Sequence, residues 1–209
     1  MLPKDRVRRA LAKSPVDRVP VFMWFHPSTR RRLASLLEVP EAQVSAVMGD
    51  DICQTWVNNN YAMEGIVHER EGESHVDDWG VTWRREGEFN QAVGFPLADA
   101  DEEAVRGYRF PAQRIEFLLD LMTPVLARGD RYFIGVDVSP CVFELYWRLR
   151  GMEAALFDMA MNPALADAML GRCADFSVML SVAACERFRL DWLWLGDDVA
   201  GQQGPIMSP

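Results

Sequence analysis

Residues 132–138, Tyr-Phe-Ile-Gly-Val-Asp-Val, are apolar on both faces of any β-strand they form, and Ser139-Pro140 follows at once. A strand apolar on both faces must be covered on both sides. That is the mark of a parallel sheet packed between helices. The same pattern recurs at 19–25 (Val-Pro-Val-Phe-Met-Trp-Phe), at 50–57 and at 190–197 (Leu-Asp-Trp-Leu-Trp-Leu-Gly-Asp). Helical stretches lie between these runs. Residues 5–13 read as a short amphipathic helix, and Ser28 or Thr29 as the N-cap of a second. The 113–129 stretch ends on Gly129 and carries Pro124 as a kink point. Residues 139–151 open on a Ser-Pro cap pair and close on Gly151, and two further helices are divided at Asn162-Pro163.

Strands alternating with helices give an α/β chain of about four βα units. No Gly-x-Gly-x-x-Gly follows any strand, so a dinucleotide-binding fold has no support. The expectation is a partial (β/α)8 TIM barrel. Such barrels typically need about 250 residues, and this chain has 209. Residues 1–209 therefore read as the N-terminal portion of a single truncated barrel domain. Residues 58–110 are polar and rich in Gly and acids, and "VDDWGVTWRR" alternates around Gly80. This segment reads as an inserted β-hairpin or meander.

A net charge of -9 makes a phosphate backbone a poor partner, so nucleic acid is not expected. No apolar run approaches the ~20 residues of a membrane span, and the N-terminus has no signal-peptide pattern. Cys53, Cys141, Cys173 and Cys185 are scattered, without Cys-x-x-Cys spacing. They read as reduced, buried thiols of a cytoplasmic protein, with no metal ligand set in this segment.

Four stretches together, "DRVRRALAKSPVDRVPV", "DDWGVTWRR", "YFIGVDVSPCVFELYWRLRG" and "LDWLWLGDDVAGQQGPIMSP", resemble the uroporphyrinogen decarboxylase superfamily. That group holds both the decarboxylases of porphyrin biosynthesis and the corrinoid-dependent methyltransferases. The likeness is closer to the methyltransferase branch. It implies a barrel enzyme that passes a methyl group between a corrinoid (cobalamin) carrier and a small thiol-type acceptor. A corrinoid protein would be the partner, and any zinc would be held in a C-terminal half beyond this segment. Decarboxylation of a tetrapyrrole side chain is the alternative. Against it, Trp56, Val57 and Asn58 stand where the decarboxylases carry an acid. A third possibility is an inactive fragment or a docking module for a corrinoid protein.

Candidate site residues follow from strand ends. In a barrel the C-terminal ends of the strands line the active-site mouth. Asp197 and Asp198 end the last run, and alternation lets only one of them face a pocket. A carboxylate there orients substrate or acts as a general base; the plain alternative is a cap in a Gly-rich turn. Asp137 ends the 132–138 run as a pocket acid or a cap. His26 and Arg30 follow the first run and are placed with the substrate. Tyr146 matches the tyrosine that follows the Ser-Pro motif in the family; as bare sequence it is a packed aromatic of an amphipathic helix. His68 and His75 fall in the polar insertion and read as solvated. Trp192 and Trp194 read as core.

Overall fold

The computed structural model describes residues 1–58 and 68–207, so residues 59–67 of the polar insertion lie outside the described residues. The elements begin with helix α1 (Pro3–Leu11), α2 (Pro27–Leu37) and the short α3 (Val44–Val47). Strand β1 (Ile52–Trp56) follows, then β2 (Ser74–Val76), β3 (Thr82–Glu86) and β4 (Phe89–Gly94). Helices α4 (Glu102–Gly107), α5 (Ile115–Asp120) and α6 (Thr123–Leu126) lead to β5 (Phe133–Asp137). Helices α7 (Phe143–Arg150), α8 (Met152–Met161) and α9 (Pro163–Arg187) precede β6 (Trp192–Trp194). The two-residue strands β7 (Ala200–Gly201) and β8 (Gly204–Pro205) come last.

β1, β5 and β6 form one sheet in the order β1-β5-β6. Phe133 N–H donates to the Asp51 carbonyl and Val57 N–H to the Asp137 carbonyl, so β1 and β5 run the same way. Asp191 N–H to Ile134 and Val138 N–H to Trp194 give the same sense for β5 and β6. The described residues are thus a mixed α/β chain with a three-stranded parallel sheet and no closed barrel. The chain packs as two compact units. The first comprises Met1–Thr55, Met122–Gly135 and Leu190–Trp192; the second holds the remaining segments.

The 19–25 run is not a ladder strand, which corrects the expectation of four strands. Pro20 has no amide to give. Val21 N–H donates to the Asp51 carboxylate at 2.8 Å and Met23 N–H to the Asp50 carboxylate at 3.1 Å. Side-chain oxygens have taken the donors that a neighbouring strand would need. The run is not buried either: Val19 and Trp24 are exposed.

Asp51 organises the first unit. It is fully buried and pairs with the buried Arg6 guanidinium and, at 2.7 Å, with Arg18. Arg6 also grips Asp17 at 2.6 Å. The two Asp-Arg motifs of the N-terminal segment therefore converge on the residue that opens β1. Gly135 of β5 is fixed by a close approach, since a Cβ there would lie 1.8 Å from Trp192 Nε1.

In the second unit β2, β3 and β4 form an antiparallel meander. Its first turn is built on Asp77, whose carboxylate accepts from the Trp79 and Val81 amides at 2.9 Å and from Trp83 Nε1 at 2.7 Å. Gly80 takes φ +83° in that turn, where a side chain would be strained. Helix α9 buries Leu165, Met169, Cys173, Phe176 and Leu180, the 3–4 spacing of a core stripe. By length and composition alone it is also apolar enough to cross a membrane. The buried stripe supports its place in a protein core. Cys185 near its end is exposed, unlike the other three thiols.

Removing one partner of a buried ion pair leaves the other charge uncompensated. Asp51→Ala is expected to cost about 3–5 kcal/mol of folding stability, read as a lower urea midpoint. A midpoint close to that of the unchanged protein would contradict this role.

Candidate active site at the strand ends

The C-terminal ends of β1, β5 and β6 carry the chemistry-bearing residues of the second unit. Asp137 ends β5 and is only 1% exposed. Its carboxylate accepts the Ser139 amide at 2.9 Å. Burial pushes this carboxyl up to about 6. The Ser139 amide and hydroxyl and the Trp56 side chain oppose the shift, while the Glu144 charge adds to it. A carboxyl in that range exchanges protons near neutral pH, as a general acid or base must.

Asp197 has a different environment. Its two carboxylate oxygens accept from four successive amides: Cys141 at 3.4 Å, Val142 at 2.8 Å, Phe143 at 3.2 Å and Glu144 at 2.9 Å. These are the unpaired donors at the start of α7, and a negative charge there also complements the helix dipole. Asp197 is the cap of α7, supplied from a segment more than fifty residues away. Residues 139–142 do not belong to the helix, which begins at Phe143, and Ser139-Pro140 is a cis peptide ahead of it. The Ser-Pro cap pair read from the sequence is corrected accordingly. Asp198, the next residue, is exposed.

Two neighbours were not singled out as site residues by sequence reasoning. Glu144, in the first turn of α7, has its carboxyl raised by burial, and the charges of Asp198 and Asp197 add to the effect; Arg148, paired with it one turn on, opposes the shift. Glu144 reads as an ordinary helix-surface acid in an i, i+4 pair, so only the fold reveals its neighbours. Asn58, two residues past the end of β1, is fully buried. Its Nδ2 donates to the carbonyls of Val138 at 3.2 Å and Pro140 at 2.7 Å, clamping the exit of β5. The Cys141 thiol is pushed up to about 11 by burial, which keeps it protonated and unreactive at neutral pH.

Asp137, Asp197 and Asp198 thus come to one sheet end in the second unit. Tyr146 is placed in the core of the second unit. It is fully buried, and its hydroxyl donates to Asp158 at 2.7 Å. Arg150 also holds Asp158, at 2.8 Å, and donates to the Leu97 and Ala100 carbonyls. Tyr146 is the packed aromatic that the bare sequence suggests. His26 and Arg30 belong to the first unit. His26, not Ser28 or Thr29, is the N-cap of α2, its Nδ1 accepting the Ser28 amide at 3.4 Å. Arg30 lowers the carboxyl of Asp50, whose dominant influence is the opposite effect of burial. Trp194 is exposed, against the expectation of a core residue. One surface hollow is lined by Phe110 and Phe176 in the second unit and another by Leu33 and Leu36 in the first. Among the described residues no group of three or more His, Cys, Asp or Glu side chains is arranged to hold a metal ion.

No protein-family model matches the chain, and it has no match among curated proteins or solved structures.

Two outcomes are expected. Asp197→Ala should lose about 1–2 kcal/mol through the missing cap, whereas Asp197→Asn, which still offers an acceptor, should lose less; equal losses in chemical denaturation would contradict the capping role. Asp137 has a folded pKa above its unfolded value. Its favourable contribution is complete below about pH 4 and is lost as pH rises through about 6. Between pH 4 and 7 the unchanged protein should lose on the order of 2–3 kcal/mol more stability than Asp137→Asn. Parallel stability profiles for the two proteins would refute the shift.

Proposed function

We propose that this chain is a member of the uroporphyrinogen decarboxylase superfamily, and that its strand ends serve methyl transfer between a corrinoid and a small thiol-type acceptor. The observation that carries the proposal is the division of labour between the acids. Asp137 ends β5 with a carboxyl that titrates near neutrality. Asp197 is committed to the helix beside it, and Asp198 stays exposed after β6. Chemistry-bearing acids at the C-terminal ends of adjacent parallel strands are what a barrel-type enzyme needs. The sequence likeness supplies the reaction class.

In this reading the acceptor sulfur attacks the methyl carbon. The sulfur–carbon bond forms as the cobalt–carbon bond breaks, and the electron pair stays on cobalt as cob(I)alamin. The thiol proton goes to ionised Asp137. Asp198 orients the acceptor. A corrinoid-carrying protein is the proposed partner, and the cytoplasm the proposed location. Asn58 counts against tetrapyrrole decarboxylation, because a neutral amide bound to two carbonyls cannot supply the missing carboxylate.

The test supplies methylcob(III)alamin and 2-mercaptoethanesulfonate and follows the absorbance of cob(I)alamin. Turnover is expected to rise with pH through about 6, where Asp137 loses its proton. Asp137→Asn should lower the rate about 10²–10⁴-fold and flatten that limb. Coproporphyrinogen formed from uroporphyrinogen would favour decarboxylation instead. Corrinoid-protein binding without turnover would favour a docking role.

A further inference from the structure

His68 and His75, which read as solvated in the sequence, are partly buried and face one another in the second unit. His68 Nε2 lies 2.8 Å from His75 Nδ1, and the ring centroids are 5.0 Å apart with a 45° tilt. We propose that this pair is a binding site for a divalent transition-metal ion of the zinc, nickel or copper type, with His68 Nε2 and His75 Nδ1 as its two protein ligands.

The pair is held as metal-binding imidazoles are held. His75 sits in β2, in register with Trp83 of β3, so its backbone is fixed by a ladder. His68 is tied to β3 by Arg85, whose Nη1 donates to the His68 carbonyl at 3.2 Å. On the far side of the His68 ring, Glu73 Oε2 lies 3.9 Å from Nδ1. Glu73 Oε2 itself accepts from the Glu69 amide at 3.2 Å and the Arg70 amide at 3.1 Å, which fixes the carboxylate beside His68. A carboxylate at that nitrogen favours the tautomer with the proton on Nδ1, so His68 Nε2 accepts from His75 Nδ1–H; binding a metal moves that His75 proton to Nε2. This is the outer-shell arrangement that orients and strengthens a histidine ligand.

A second observation points to the same face of the meander. Trp83 is in register with both His75 and Ala92, and Arg85 with Asn90. Alternation along the strands therefore puts His75, Trp83, Arg85 and Asn90 on one side of the sheet. Asn90 is nine-tenths buried, yet neither its Oδ1 nor its Nδ2 has a hydrogen-bond partner. A buried amide left in that state calls for water or an ion-bound water on its face. Zinc–nitrogen bonds of about 2.0–2.1 Å at a tetrahedral angle separate the two nitrogens by about 3.3 Å. To accept the ion the nitrogens part by about half an ångström, the proton between them is displaced, and both rings turn their lone pairs to one point.

The experiment is calorimetric titration of the full chain with Zn²⁺, in a Cys185→Ser background so that the exposed thiol does not compete. The expected result is one saturable equivalent, together with a zinc-dependent rise in melting temperature. His75→Ala and His68→Gln should each weaken binding at least about tenfold and abolish the thermal shift, while His26→Ala leaves both unchanged. His68→Gln keeps hydrogen-bonding capacity at position 68, so a folded variant is available even if His75→Ala unfolds. The proposal is overturned if the chain shows no saturable zinc binding, or if His68→Gln binds zinc as the unchanged protein does.

Discussion

Four backbone amides at the start of α7 converge on one carboxylate, and much of the second unit depends on that contact. Helix α7 begins directly after the β5 exit, in a stretch with no side chain of its own able to cap it. Its unpaired N–H groups would be costly where they are partly buried. Asp197 supplies both hydrogen-bond acceptors and charge from the segment after β6. The same bond fixes the distance between the ends of β5 and β6. It places Asp198 one residue further on, outside the helix and in solvent. Asp137, on the other side of the Ser139-Pro140 turn, is then left buried with a carboxyl near neutrality. Three acids of one chemical type thus acquire three separate roles from their surroundings alone.

Much of this fold is legible in the sequence, and the gaps have physical causes. β5 is readable because a strand covered on both faces is almost wholly apolar, whereas β1 and β6, read from the same pattern, are only partly buried. The meander is readable because Gly80 and the alternating tryptophans mark a turn and a half-buried face. The 19–25 run misleads for the same reason that the others inform. It is as apolar as β5, but Asp50 and Asp51 take its amides, and periodicity does not register a side chain more than twenty residues away. The start of α7 misleads likewise. Ser139-Pro140 has the composition of a helix cap, whereas the true cap comes from Asp197, far along the chain.

The site was legible by position more than by role. Strand ends draw attention to Asp137, Asp197 and Asp198, and the fold brings all three to the ends of β5 and β6, with Asp197 bound to α7 and Asp198 exposed. Nothing local distinguishes Tyr146 as a core residue from Tyr146 as a ligand contact. Asp158 and Arg150 decide it, and these lie on neighbouring turns whose packing is a tertiary fact. Glu144 is hidden for a similar reason, since its neighbours Asp197 and Asp198 lie more than fifty residues on. In the first unit the arginines of the paired Asp-Arg motifs near the N-terminus neutralise the buried Asp51, a role their sequence alone does not show.

Burial at the end of β5 pushes the Asp137 carboxyl up to about 6, and the reading of the acids rests on that shift. The most direct measurement is a ¹³C titration of the Asp137 carboxyl in the intact chain, assigned by comparison with Asp137→Asn. The account predicts a midpoint at about 6. A midpoint near 4, the ordinary value for aspartate, would contradict it.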